Sequence, residues 1–99
     1  MLIDLIAGAR PNFMKISPII DAINHEKENG RDIRFRLIHT GQHYDKNMSG
    51  SFFEQLGIPE PHHNLGAGGG TQAEQTAAIM VGYEQLLLKE GCPTLCLVV

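Results

Sequence analysis

Positive charge is scarce in this chain. Lys and Arg total 8 against 11 Asp and Glu, a net charge of −3 over 99 residues with neutral His. That leaves no electrostatic footprint for nucleic acid. A phosphate ligand is still open to it, because two or three placed cations suffice. No apolar run approaches the ~18 residues of a membrane span. No basic segment follows Met1, so we expect no signal peptide and a cytoplasmic protein. Cysteine is limited to Cys92 and Cys96, which read as two reduced thiols of a cytosolic protein. Repeats, low-complexity tracts and linkers are missing. His39 and His43 are four apart, but they straddle a strand end, so no metal is expected. Ser49 and Ser51 have no recognisable base partner, and no nucleophilic triad can be argued. The dinucleotide fingerprint G-x-G-x-x-G is absent, since Arg10 stands where its second glycine would be; a Walker A loop is absent too. NAD or FAD bound in the usual way is therefore not expected.

What is present is an alternation of strand and helix in one small domain, with hydrophobic residues at 42% supplying a core. Leu2 to Ala7 reads as a buried strand interrupted only by Asp4. Phe13, Ile16, Ile19, Ile20 and Ile23 recur at helical spacing, so a helix spans about Asn12 to Glu28. Pro18 either kinks it or starts its regular part with Ser17 as N-cap. Ile33 to His39 alternates as a strand more exposed on one face, and Asn47 to Leu56 reads as a short helix. The loop from Pro59 to Gly70 leaves room for a brief extended piece at Asn64-Leu65. Thr71-Gln72-Ala73-Glu74 is a capping box. It opens a helix to about Glu90 with Ala73, Ala77, Met80, Tyr83 and Leu87 as its apolar stripe. Gly91 and Pro93 end it, and Thr94 to Val99 is a last apolar strand. This order predicts an α/β fold with a parallel, Rossmann-like sheet.

In such a sheet ligands bind beyond the carboxyl ends of the strands. The first strand runs into Gly8-Ala9-Arg10-Pro11 and then a helix, the local design of an anion site. The Arg10 guanidinium can fork onto a phosphate or pyrophosphate; pairing with a surface carboxylate is the plainer alternative. Lys15, one turn into the helix, is a second cation or a solvated helix residue. Gln42 and His43 follow the end of the next strand, where they can contact sugar, base or phosphate, or else only stabilise the loop. His62-His63 reads as a surface pair in a proline-rich loop. The run Gly66-Ala67-Gly68-Gly69-Gly70 either brings backbone amides to an anion or is a mobile loop.

Gly8-Ala9-Arg10-Pro11-Asn12-Phe13-Met14-Lys15-Ile16-Ser17-Pro18 resembles the opening motif of the non-hydrolysing UDP-N-acetylglucosamine 2-epimerases. That motif usually reads Gly-Thr-Arg-Pro-Glu, with Lys and Pro spaced as Lys15 and Pro18 are. Thr40-Gly41-Gln42-His43 resembles the family's second motif, and Thr71-x-Ala73-Glu74 its helix start. Asn12 departs from the common Glu. Asp45 and Gly70 depart from the polar residues of members regulated by a second substrate molecule, so no allosteric site is assumed. Hydrolysing relatives usually carry an acidic-aromatic pair after the Arg and no proline; Pro11-Asn12-Phe13 favours the non-hydrolysing branch.

The resemblance implies a GT-B fold of two Rossmann-like domains, of which residues 1–99 would form the first half of the N-terminal domain. It implies interconversion of UDP-GlcNAc and UDP-ManNAc by elimination and re-addition of UDP, without NAD or other cofactor. It also implies a homodimer, and a role in supplying ManNAc-type sugars for surface polysaccharide. By matched position, Arg10 and Lys15 would lie at the phosphate side of the substrate, with Gln42 and His43 lining the cleft. The acid–base carboxylates would lie beyond Val99. Two alternatives stand beside this reading: a GT-B glycosyltransferase, and a non-catalytic nucleotide-binding or interaction module.

Overall fold

A computed structural model describes residues 1–8, 10–41 and 50–99, with side-chain detail for all of these except 10, 11 and 50–52. The elements, in chain order, are β1 (Leu2–Ala7), α1 (Arg10–Glu28), β2 (Arg34–His39), α2 (Gly50–Leu56), β3 (His63–Asn64), α3 (Gln72–Glu90) and β4 (Leu95–Val98). The four strands form one sheet in the order β3-β2-β1-β4, and every pairing is parallel. The expected α/β class and Rossmann-like sheet are thus present.

Period-2 alternation in β1 sends its side chains to two different layers. Ile3, Leu5 and Ala7 join Phe13, Ile16, Ile20 and Ile23 of α1, with Leu37, Phe53 and Ile58, in the larger core. Ile6 faces the other way and packs with Ile38 and with Leu86 of α3. Helices α1 and α2 therefore cover one face and α3 the other. Among the described residues no helix is long and apolar enough to cross a membrane.

Three expectations need correction. Helix α1 runs unbroken through Pro18, so Ser17 is not its N-cap. Instead the Ser17 hydroxyl donates to the Leu56 carbonyl at 2.8 Å, closing the end of α2. The stripe on α3 is also displaced. Ala73 and Ala77 are exposed and Met80 is 67% exposed, whereas Leu86 is the buried residue. Only the C-terminal half of α3 lies on the sheet, and it contacts Ile6, Ile38 and Leu65 through Tyr83 and Leu86. Finally, β4 is an apolar strand in pairing but not in burial: Leu95 is 54% and Val98 70% exposed. Among the described residues it is an edge strand, paired with β1 alone.

The extended piece expected at Asn64-Leu65 is found one residue earlier, as β3, and the capping box is formed. Thr71 Oγ1 accepts from the Glu74 amide at 3.2 Å, and the Thr71 amide donates to Glu74 Oε1 at 3.5 Å.

Candidate functional site

Strand order reverses between β1 and β4. Strands β2 and β3 lie to one side of β1, and β4 lies on the other. A doubly wound sheet opens its ligand crevice at such a point, outside the carboxyl ends of the strands. Here that crevice is a cavity of ≈ 320 Å³ lined by Gly8, Asn12 and Thr40, by Ile79 and Tyr83 of α3, and by Val99, among others. Ala7 and His39 are register partners, and the Thr40 amide donates to the Ala7 carbonyl at 3.0 Å. Gly8 and Thr40 therefore leave the ends of β1 and β2 side by side.

Asn12 links two walls of this crevice. Its Nδ2 donates to the Val99 carbonyl at 3.1 Å, tying the first turn of α1 to the end of β4. A carboxylate at this position has no proton to give to that carbonyl, so the departure from the Glu of the motif has a local use.

The expected site residues fall into three groups. Arg10 opens α1 by its backbone, but its side chain lies outside the described detail. Gln42 and His43 lie outside the described residues. Lys15 is exposed on the second turn of α1, roughly 7 Å along the axis from Arg10 at 1.5 Å per residue. No described carboxylate pairs with Lys15, but it is not among the residues lining the crevice.

The glycine run before α3 has positive φ at Gly66, Gly69 and Gly70. Two first-turn groups of the helix are already engaged by its own capping box. The amides most available to an anion at this end are thus reduced by Thr71 and Glu74 themselves. His62 is exposed, as read from the sequence, and it also ties two parts of the fold together. Its Nδ1 accepts the Leu37 amide at 2.9 Å, and its ring meets Phe35 edge-on at 5.8 Å. Among the described residues no group of three or more His, Cys, Asp or Glu is placed to hold a metal, and both cysteines are free.

A polar cluster beneath the crevice was not anticipated. Asp4 is wholly buried, and Arg36 is its register partner on β2. Arg36 donates to both carboxylate oxygens, at 2.6 and 2.8 Å. The Tyr83 hydroxyl donates to Asp4 Oδ2 at 2.5 Å, and Arg36 reaches on to the Gly91 carbonyl at 3.1 Å, past the end of α3. Burial, then the bond to Asp4, pushes the Tyr83 phenol well above its ordinary range. The bond to Asp4 likewise raises Arg36. Tyr83 thus stays a neutral donor, and its ring is held as a wall of the crevice. One acid in a buried strand, level with one base in the next, was the available signal.

The sequence profile described as UDP-N-acetylglucosamine 2-epimerase matches residues 25–99. A UDP-N-acetylglucosamine 2-epimerase of Methanocaldococcus jannaschii is 47% identical over 90 residues, which are 91% of this chain and 23% of that protein. A UDP-2,3-diacetamido-2,3-dideoxy-D-glucuronate 2-epimerase of Pseudomonas aeruginosa is 46% identical over 90 residues, 91% of this chain and 24% of that one. The crystal structure of the M. jannaschii UDP-GlcNAc 2-epimerase in complex with UDP-GlcNAc and UDP superposes with a TM-score of 0.81 at 42% identity. That superposition covers 99% of this chain and 25% of the other. The chain therefore spans about a quarter of the length of the relatives it matches. With the family profile matching residues 25–99 and the superposition covering 99% of its length, the chain belongs to the UDP-N-acetylglucosamine 2-epimerase family.

Proposed function

We propose that residues 1–99 are the first half of the N-terminal Rossmann-like domain of a two-domain, GT-B UDP-GlcNAc 2-epimerase. The longer protein inverts C2 of UDP-GlcNAc. A proton leaves C2 as UDP leaves C1, giving a glycal; UDP then returns to C1 as a proton is delivered to the opposite face of C2. The product is UDP-ManNAc, and no NAD or metal takes part. Arg10 and Lys15 contribute positive charge at the diphosphate, where negative charge grows as UDP departs. Gln42 and His43 line the same cleft. The acid–base residues lie in the sequence after Val99, so the 99-residue chain alone has little or no epimerase activity. The protein works in the cytoplasm as a homodimer.

One observation carries this reading: the family match over residues 25–99 falls on a fold whose ligand crevice lies at the β1–β4 switch point. The similarity to the P. aeruginosa 2-epimerase, nearly equal to that of the M. jannaschii relative, supports a second reading. It keeps the C2 chemistry and changes the sugar to a diacetamido uronate.

The test is proton NMR in deuterated water with the full-length natural protein and, separately, with residues 1–99. UDP-GlcNAc and the diacetamido uronate are each supplied as substrate. Deuterium at C2 and a new anomeric signal with one sugar, only in the longer protein, support the reading and identify the substrate. No exchange with either sugar removes the epimerase assignment. Turnover by residues 1–99 alone removes the assignment of the catalytic groups to the sequence after Val99.

A further inference from the structure

His39 is nearly fully buried, at 6% exposure, and ends β2 at the rim of the crevice. Its Nδ1 accepts the Gly41 amide at 2.7 Å. The backbone on either side of that bond is tied to the segment after β3. Leu65 donates its amide to the His39 carbonyl and Ala67 donates to the Thr40 carbonyl, both at 2.8 Å. Gly41 has φ +79°, and a Cβ there would lie 2.8 Å from Asn64 Oδ1 and 2.9 Å from the Ala67 nitrogen. A Cβ on Gly68 would lie 2.6 Å from the Gly41 carbonyl oxygen. The turn is thus seated against the 64–68 segment with no space to spare. The imidazole rests on Phe13 of α1, ring centres 5.1 Å apart.

We infer that His39 is a proton-sensitive latch, whose neutral imidazole holds the Thr40–Gly41 turn against the 64–68 segment and whose protonation releases it. The chemistry allows one protonation state. An Nδ1 that accepts the Gly41 amide carries no proton, so the neutral ring keeps its proton on Nε2. The imidazolium has N–H at both positions and sets a donor against a donor. The bond is lost and the turn must move.

The described surroundings bring no charge to the ring. Phe13 comes from α1, Ala7 from β1 and Asn64 from β3. Burial alone lowers its titration below the ordinary value of 6.5. Two other histidines stand on the adjoining segment, His62 and His63. His62 holds the Leu37 amide by the same kind of bond, so the two histidines must be separated by mutation.

The experiment is amide hydrogen exchange by NMR on the full-length natural protein between about pH 5 and 8, corrected for intrinsic exchange. Asn at position 39 puts an amide oxygen where Nδ1 sits and cannot titrate; Leu fills space without an acceptor. In the unaltered protein, protection of Gly41 and Ala67 is expected to fall about tenfold as pH drops below 6.5, the effect of one lost hydrogen bond. In His39→Asn the protection stays high across the range, in His39→Leu it is low throughout, and in His62→Asn the acid loss at Gly41 persists. Acid loss at Gly41 that survives in His39→Asn, or no loss in the unaltered protein, overturns the latch. Should His39→Leu not fold, the comparison with His39→Asn still decides. The readout is the turn itself, so the outcome is independent of whether the protein proves to be an epimerase.

Discussion

Asp4 illustrates how much a single residue decides in this chain. Its carboxylate is wholly buried and takes two bonds from Arg36 and one from Tyr83. Breaking a buried pair from one side leaves an uncompensated charge, which typically costs about 3–5 kcal/mol. Asp4→Ala should therefore destabilise the protein by roughly 3 kcal/mol or more, and Tyr83→Phe by about 1. Urea denaturation of the natural protein measures both, and an Asp4/Arg36 double-mutant cycle isolates the pair. Gly41 is as constrained for a steric reason. Gly41→Ala places a Cβ within 2.9 Å of Asn64 Oδ1 and the Ala67 nitrogen, at φ +79°. We expect a loss of about 2 kcal/mol or more, checked by thermal unfolding. His39 adds a pH dependence. Its neutral form is preferred in the folded state, so the unfolded chain binds more protons and stability rises with pH. That contribution is complete above the ordinary value of 6.5 and is lost as pH falls below it. A urea midpoint measured against pH should lose this slope in His39→Asn.

Among the elements, α3 is the least supported by packing. Its first half is mostly exposed and its contacts with the sheet come through Tyr83 and Leu86, so its local terms matter more than usual. The capping box satisfies the Thr71 and Glu74 amides. Thr71→Ala should cost about 1 kcal/mol and should raise hydrogen exchange in the first turns of α3 well before it does so in α1. Helix α1 rests on Phe13, Ile16, Ile20 and Ile23, which is why it tolerates Pro18 in its interior. Tertiary burial outweighs the lost helical bond, and the helix stays in one piece through Pro18. The apolar period located both helices. It misplaced the buried face of α3 because apolar residues fill every phase along the runs 77–83 and 86–88.

At the scale of the molecule, the apolar edge is the main consequence of the fold. Leu95, Val98, Met80, Val81 and Leu88 are all more than half exposed, and among the described residues one side of the β4 backbone has no strand partner. An exposed apolar edge strand is a template for association. Residues 1–99 produced alone should therefore self-associate in a concentration-dependent way. Sedimentation velocity would show this, and a monodisperse monomer across a wide concentration range would speak against it. The same edge suits the proposed place of these residues within a larger sheet.

Much of this protein was settled by local pattern. The six-residue apolar run of β1, the helical period after it and the Thr71–Glu74 capping box each act over a few residues, so they are legible along the chain. So is the pairing of small-residue turn with helix start that marks the carboxyl edge. What only the tertiary structure decided depends on groups brought together from far apart: Asp4 with Arg36 and Tyr83, Asn12 with Val99, Ser17 with the end of α2. Such contacts depend on strand register and helix position, which no short stretch specifies. The histidines show the same division. His39 at a strand end and His62 in a loop are unremarkable as letters, and what each one does follows from which backbone amide the folded chain places against its Nδ1.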